Sequence, residues 1–162
     1  MILALTLSSC QVQQDQKALE SFKALVRHHV DSYKPNGREH VFVGLIFEGK
    51  NLWIKDRFTI DPTSVNFDVQ KTSSLVSPFV GTLTFTITIT RTSLHPTKAE
   101  AAVDTDCSHE TEVFLHRHVF VYQDSQWRPK SRQHRVEGEW RDCVFRNDVD
   151  VHGCLEEFDG DK

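Results

Sequence analysis

Nine histidines are spread along this chain of 162 residues, and two of them have a spacing suited to metal binding. His116 and His118 lie two residues apart in a predicted strand, so their side chains leave the same face. A zinc site needs three or four ligands, and His109 or Asp106 could supply a third. The sequence shows no companion at ligand spacing from the pair. We therefore interpret the pair as hydrogen-bonded polar positions on a partly aromatic face, and we expect no bound metal.

Asp56 is the carboxylate best placed for acid–base chemistry. It interrupts the apolar face of a predicted strand, whose other members on that face are Leu52, Ile54, Phe58 and Ile60. A carboxyl group buried among apolar side chains has a shifted pKa, as catalytic acids and bases often do. A twist or bulge could instead turn Asp56 outwards, and we favour this second interpretation.

No catalytic motif accompanies these residues. The sequence contains no Gly-x-Ser-x-Gly, no glycine-rich phosphate loop and no His-Glu-x-x-His. We therefore assign no catalytic residue and no cofactor, and we expect a protein without enzymatic activity.

Three cysteines in the second half of the chain could form one disulfide. Cys143 and Cys154 lie close together in a polar C-terminal segment, where a bridge would stabilise a region with little apolar periodicity. We predict that these two are bridged, as an exported protein allows. The alternatives are a bridge from Cys107 to Cys143 or to Cys154, or reduced cysteines in a cytoplasmic protein.

The first ten residues carry a signal for location. Residues 1–7 are almost wholly apolar and lead into Leu7-Ser8-Ser9-Cys10. This tetrad resembles the lipobox of bacterial lipoproteins, in which the cysteine is acylated and becomes the mature N-terminus. The resemblance implies a lipid on Cys10, a membrane anchor and a place in the bacterial cell envelope. A secretory signal also needs basic residues at its start, whereas the first one here is Lys17, so a cytoplasmic protein remains the alternative.

Composition and charge are those of an ordinary globular domain. Hydrophobic residues make up 38% of the chain, charged residues 26%, and the formal charge is −4. Acidic and basic residues are mixed without a basic stripe, which argues against a nucleic-acid partner. No apolar run is long enough to cross a bilayer. We predict one domain, with a signal-like segment at 1–10, a folded body at 11–136 and an irregular tail at 137–162 packed on it.

Helical periodicity dominates the region after the signal-like segment. Apolar residues recur at three- and four-residue steps and form one stripe: Ala18, Leu19, Phe22, Leu25, Val26, His29, Val30 and Tyr33. Pro35, Asn36 and Gly37 then end the helix. The spacing predicts a helix over 12–33 that is long enough to cross a small sheet.

Beyond Gly37 the periodicity changes to two. The alternation predicts strands near residues 41–47, 52–60, 65–69, 79–91, 112–122 and 127–136. In 79–91 large apolar residues alternate with five threonines, which is typical of a sheet with one buried and one wet face. The polar segment 93–108 is predicted to be a loop, and the chain beyond Val136 to be irregular.

One helix followed by antiparallel strands predicts the α+β class, with the long N-terminal helix packed on a curved antiparallel sheet of about five to six strands. Over roughly residues 12–136 this order of elements is similar to the cystatin-like fold and the nuclear-transport-factor-2-like fold. Three segments also resemble uncharacterised exported proteins of bacteria, which implies no activity: Asp68-Val69-Gln70-Lys71-Thr72, Pro78-Phe79-Val80-Gly81 and Tyr122-Gln123-Asp124-Ser125-Gln126-Trp127. The Gln-x-Val-x-Gly hairpin with which cystatins block proteases does not occur here.

These features favour an exported, lipid-anchored binding or structural module without enzymatic activity. Its partners would be the membrane, through the lipid on Cys10, and an unidentified protein or small molecule. The alternative is a small cone-fold enzyme or a small-ligand-binding protein. Its pocket would lie between helix and sheet and would use Asp56 and the strand of His116 and His118.

Overall fold

The computed structural model of the protein describes residues 4–33, 37–143, 145–146 and 149–150, with side chains described for 12–33 and 37–143. The chain forms an α+β fold with one long N-terminal helix and an open antiparallel sheet. Its elements are α1 (Ala4–Asp31), β1 (Arg38–Phe47), β2 (Lys50–Ile60), a 3-10 turn (Pro62–Ser64), β3 (Asn66–Lys71), β4 (Phe79–Arg91), α2 (Lys98–Val103), β5 (Glu110–Gln123), β6 (Gln126–Val136), β7 (Glu139–Asp142), β8 (Phe145–Arg146) and β9 (Val149–Asp150).

Seven strands form the main sheet, in the order β1-β2-β4-β5-β6-β7, with β3 also paired to β4. Strands β2 and β3 share one edge of β4, because β2 pairs with residues 87–91 and β3 with residues 79–84. Only Asp56–Ile60 of β2 pair with β4, so the first half of β2 and its partner β1 extend past that strand. The sheet is larger than the five to six strands that the sequence predicted.

The predicted alternation in β4 is confirmed. Phe79, Leu83, Phe85, Ile87 and Ile89 are buried, whereas the threonines between them are half-buried. Side chains in a strand point alternately to opposite faces, so β4 presents one apolar face to the core. The core cluster on that face consists of Phe22, Val26, Tyr33, Phe58, Ile60, Leu83, Phe85, Ile87, Ile89 and Phe120.

Helix α1 lies against this apolar face, as its stripe predicted. Phe22 is fully buried and contacts Phe67, Phe120 and Trp127, with ring centroids 4.6–6.1 Å away. The indole nitrogen of Trp127 donates to the backbone oxygen of Ala18 at 3.2 Å and to the hydroxyl of Ser21 at 3.0 Å. Apolar packing and these two hydrogen bonds together position α1 across the sheet.

Gly81 shows how closely the helix approaches. A Cβ atom at this position would lie 2.4 Å from the ring of Phe22, a separation that real side chains do not tolerate. The glycine therefore makes room for the aromatic ring on the inner face of β4.

Two segments differ from their predictions. The region 93–108 contains the short helix α2, which begins with a capping box in which Thr97 and Glu100 satisfy each other's backbone N–H groups. The chain beyond Val136 continues as β7, paired with β6, and as the small pair β8 and β9. Both errors concern elements of at most six residues, which are too short to show a periodic pattern.

Candidate functional site

His116 and His118 lie on the inner face of β5, under helix α1. Both are buried, with 0% and 4% of their surface exposed. They alternate with outward-facing residues, so the predicted common face is the core face of the sheet.

Two further histidines join this pair. His134 on β6 lies opposite His116 in the strand register, and His29 reaches the sheet from the last turns of α1. Ring centroids are 5.4 Å apart for His29 and His118, and 6.3 Å apart for His116 and either His118 or His134. We refer to His29, His116, His118 and His134 as the histidine cluster.

The expected companions of the pair lie elsewhere. Asp106 and His109 are both exposed, in the segment between α2 and β5. His29 could have been found from its place in the apolar stripe of α1. His134 could not have been found from the sequence, because only the pairing of β6 with β5 places it opposite His116.

Three of the four imidazole rings lie around the phenyl ring of Phe85. Its centroid lies 5.0 Å from those of His29 and His118, and 5.6 Å from that of His116. In the part of the chain that the structure describes, no group of three His, Cys, Asp or Glu side chains has a geometry that could hold a metal ion. His29, His116 and His118 pack against Phe85 as aromatic rings.

Burial governs the charge state of the cluster. It lowers the pKa of His29 to about 3, with smaller contributions from the positive charges of Arg38 and Arg132. Burial also lowers the pKa of His118 well below its ordinary value, and His29, His116 and Arg132 act in the same direction. Both imidazoles are consequently neutral at neutral pH and not in the imidazolium form that acts as a general acid.

Asp56 is buried, with 3% of its surface exposed, and its strand runs past it without a register shift. The expectation that a bulge turns it outwards is wrong, since the register shift of this hairpin lies at Gly44. The carboxylate accepts two hydrogen bonds from Arg91, from Nε at 2.7 Å and from the second guanidinium nitrogen at 2.9 Å. The Asp56 carboxylate raises the pKa of Arg91 further above its ordinary value. This ion pair compensates the buried charge and joins β2 to β4.

Arg91 extends the ion pair to the next strand. It donates to Glu110 at 2.7 Å and lies 3.6 Å from Glu112. One guanidinium thus joins carboxylates from β2 and β5 across β4.

The structure does not bring Asp56 and the histidine pair together. Asp56 lies opposite Arg91 on β4, whereas His116 lies opposite Phe85 on the same strand. The six residues that separate these positions correspond to about 20 Å of strand. A single catalytic site that uses Asp56 and His116 together does not exist in this arrangement.

A second polar cluster, not anticipated from the sequence, covers the opposite face of β2. Lys55 is buried, donates to the backbone oxygen of Ala102 at 3.1 Å and lies 3.3 Å from the carboxylate of Glu39. His95 and Asp104 are joined at 2.8 Å in the same region. These contacts attach α2 and its flanking segments to β1 and β2.

The cysteines occupy different environments. Cys107 is a buried free thiol, and burial raises its pKa. The two alternatives that paired Cys107 with Cys143 or Cys154 are therefore not found. Cys154 lies outside the described residues, so its bridge to Cys143 stays a prediction. Cys10 falls within the backbone of α1, and its side chain is outside the described part.

A shallow cleft of about 390 Å³ lies at the outer edge of β6. It is lined by Pro129, Lys130, Ser131, Arg132, Asp142 and Cys143. These residues flank the end of β7, where the backbone N–H of Cys143 still donates to Arg132 at 2.9 Å. The cleft is a feature of the sheet edge, whereas the space under α1 holds core side chains.

The hairpin of β1 and β2 carries three consecutive exposed apolar side chains, Leu45, Ile46 and Phe47. Residues 44–51 are all exposed, including Ile46 at 68% and Phe47 at 58%. We call residues 41–53 the β1–β2 arm. Trp53 at the end of the arm forms a two-way hydrogen-bonded bridge with His95, with N···O distances of 2.7 and 2.8 Å.

Comparison with protein families, with curated proteins and with solved structures found no match. No helix in the described part is both long and apolar enough to cross a membrane. The function is therefore inferred from the geometry of the chain itself.

Proposed function

We propose that this protein is a non-enzymatic binding module that pairs, through the edge strand β1, with an extended apolar segment of a partner protein. One observation carries the proposal. Strand β1 ends the sheet in the described part of the chain. Its residues 41–47 include no charged side chain, and Leu45, Ile46 and Phe47 are exposed.

The other end of the sheet provides the contrast. Strand β7 has only four residues, of which Glu139, Arg141 and Asp142 are charged. Short and charged edge strands resist pairing with other chains, whereas a longer uncharged edge favours it. Addition of a strand to an exposed edge is an established mode of peptide recognition, in which backbone hydrogen bonds supply affinity.

The bulge at Gly44 shapes the proposed surface. The register shift between Val43 and Leu45 divides β1 into two parts, and the exposed apolar side chains follow the bulge. The partner segment would pair with Leu45–Phe47, and its apolar side chains would cover Ile46 and Phe47.

The polar residues support binding rather than catalysis. His29 and His118 are neutral and lie under α1, and the carboxylate of Asp56 is engaged by Arg91. Neither group is placed to exchange a proton with a bound substrate.

Site-specific photocrosslinking tests this proposal. A benzophenone amino acid is placed at Ile46 in the full-length chain and, as a control, at Gln70, an exposed position on the polar strand β3. We expect a discrete crosslinked polypeptide in the cells that express the chain from position 46 and none from position 70. Equal labelling at both positions, or none at position 46, would contradict a binding site on β1.

We also propose that the module is held in the bacterial cell envelope by a lipid on Cys10. The described contacts of α1 with the sheet begin at Asp15, which is paired with Lys71 at 2.9 Å, and at Ala18. Loss of residues 1–9 on lipidation would leave those contacts in place. Mass spectrometry of the membrane fraction should find a mature chain that begins at an acylated Cys10. An unmodified chain that retains Met1 would exclude the anchor.

The cystatin-like arrangement belongs to the same proposal. One long helix against an antiparallel sheet supports it.

A further inference from the structure

We propose that the histidine cluster is an acid-sensitive contact that releases the C-terminal half of α1 from the sheet in mildly acidic solution. This inference is independent of the binding proposed for β1, because it concerns buried residues on the inner face of β4 and β5 and not the exposed residues Leu45–Phe47.

The geometry makes His29 a link between helix and sheet. It lies in the last turns of α1, with 5% of its surface exposed, and it contacts Phe85 on β4 and His118 on β5. Tyr33 follows on the same side, with its ring centroid 5.5 Å from that of His29. A charge on His29 would therefore appear inside the contact that holds this end of the helix.

The charged groups that act on His29 disfavour a proton on its ring. Arg132 on β6 lies opposite His118 in the register, and the charges of Arg132 and of Arg38 on β1 both act on His29. His116 on β5 and His28 on α1 act in the same direction, and His134 lies beside His116. A protonated imidazole here would be desolvated and placed among positive groups, which is costly.

Opening the contact removes this cost. In the open state His29 is solvated and has an ordinary pKa near 6.5, whereas in the closed state its pKa is about 3. Because the closed-state pKa is the lower one, stability is complete above about pH 6.5 and decreases as the pH falls towards 3. At pH 5, one such histidine shifts the equilibrium towards the open state about thirty-fold. His118 acts in the same direction.

The helix opens before the sheet unfolds, for a structural reason. Strand β4 pairs with β5 along its whole length, from Phe79–Tyr122 to Arg91–Glu110. Helix α1 is attached to the sheet by side chains. Detachment of its C-terminal half exposes His29 and His118 without breaking the strand pairing. This partial opening therefore gains the same free energy of protonation as global unfolding, and it requires less free energy to occur.

Native-state hydrogen exchange between pH 7.5 and pH 5 tests the inference. We expect protection factors of amides 22–31 to fall at least about thirty-fold and to lie below those of β4 at pH 5. In the His29→Gln variant, the ratio of the protection factors at pH 7.5 and pH 5 should be about thirty-fold smaller than in the unchanged protein. His28→Gln, a change at the exposed neighbouring histidine, removes only the smallest of the charge effects on His29 and should retain most of the fall.

Three results would overturn the inference. They are a protection of residues 22–31 that does not change with pH, an unchanged pH response in His29→Gln, and a loss of protection that is equal in α1 and β4. If His29→Gln does not fold, His29→Phe retains an aromatic contact with Phe85 and cannot be protonated, and the same comparison applies to it.

Discussion

The part of the sheet under α1 and the β1–β2 arm are both rich in apolar residues and have opposite environments. In β4, apolar residues alternate with threonines, and the apolar face is buried beneath the helix. In the arm, Leu45, Ile46 and Phe47 follow one another, and all three are exposed. The difference lies in what covers each strand, because the described arm extends beyond β4 and lies outside the core cluster of α1 and the sheet.

Under the proposed function, this difference separates residues that stabilise the fold from residues that bind the partner. Burial of a large apolar side chain stabilises a fold by about 1.5–3 kcal/mol, a gain that Phe22 provides and that Phe47 does not. Contiguous exposed apolar side chains are unusual on soluble proteins and mark interaction surfaces. Changes under α1 should therefore alter folding, and changes in the arm should alter binding.

The largest expected effect comes from Phe22→Ala. Phe22 is fully buried and contacts three aromatic rings, so its truncation removes apolar contacts and leaves a cavity. We expect a loss of about 3–5 kcal/mol in the free energy of unfolding, measured by chemical denaturation. A loss below about 1 kcal/mol would mean that α1 is peripheral to the core.

Phe47→Ala is the matched control for Phe22→Ala. The residue type and the truncation are the same, but Phe47 is 58% exposed in the arm. We expect the free energy of unfolding to change by less than about 0.5 kcal/mol, while crosslinking from position 46 decreases. A cost similar to that of Phe22→Ala would show that the arm is covered within the monomer.

A smaller effect is expected for Gly81→Ala. The added methyl group would lie against the ring of Phe22 at 2.4 Å, so the helix or the ring must shift, at a cost of about 1–3 kcal/mol. In the Phe22→Ala background the same change should cost much less, because the obstructing ring is gone. A double-mutant cycle measures this coupling, and additive costs would contradict the proposed contact between helix and strand.

The local elements were predictable because each carries its own pattern. The apolar stripe of α1 and the alternation in β4 are properties of single segments, and side-chain geometry converts them directly into a buried face. Thr97 and Glu100 also show the capping-box spacing of a helix start. That helix was nevertheless missed, because six residues are too few to show a helical period.

The candidate site was only partly predictable. That His116 and His118 share a face follows from their spacing alone. The neighbours of the pair on that face could not be predicted. They are His29 and His134, which come from other elements and reach the pair through packing and strand register. The partner of Asp56 could not be identified either, since Arg91 lies 35 residues further along the chain.

By itself, the sequence determined the class of the fold: one amphipathic helix, antiparallel strands and one apolar face for each. These are local properties, because periodicity acts over a few residues and selects helix or strand before any long-range contact forms. The tertiary structure alone decided which polar groups meet, which edge of the sheet is open and which apolar side chains stay exposed. The physical reason is that strand order and register join residues that are far apart in the chain, and neither can be read from a single segment.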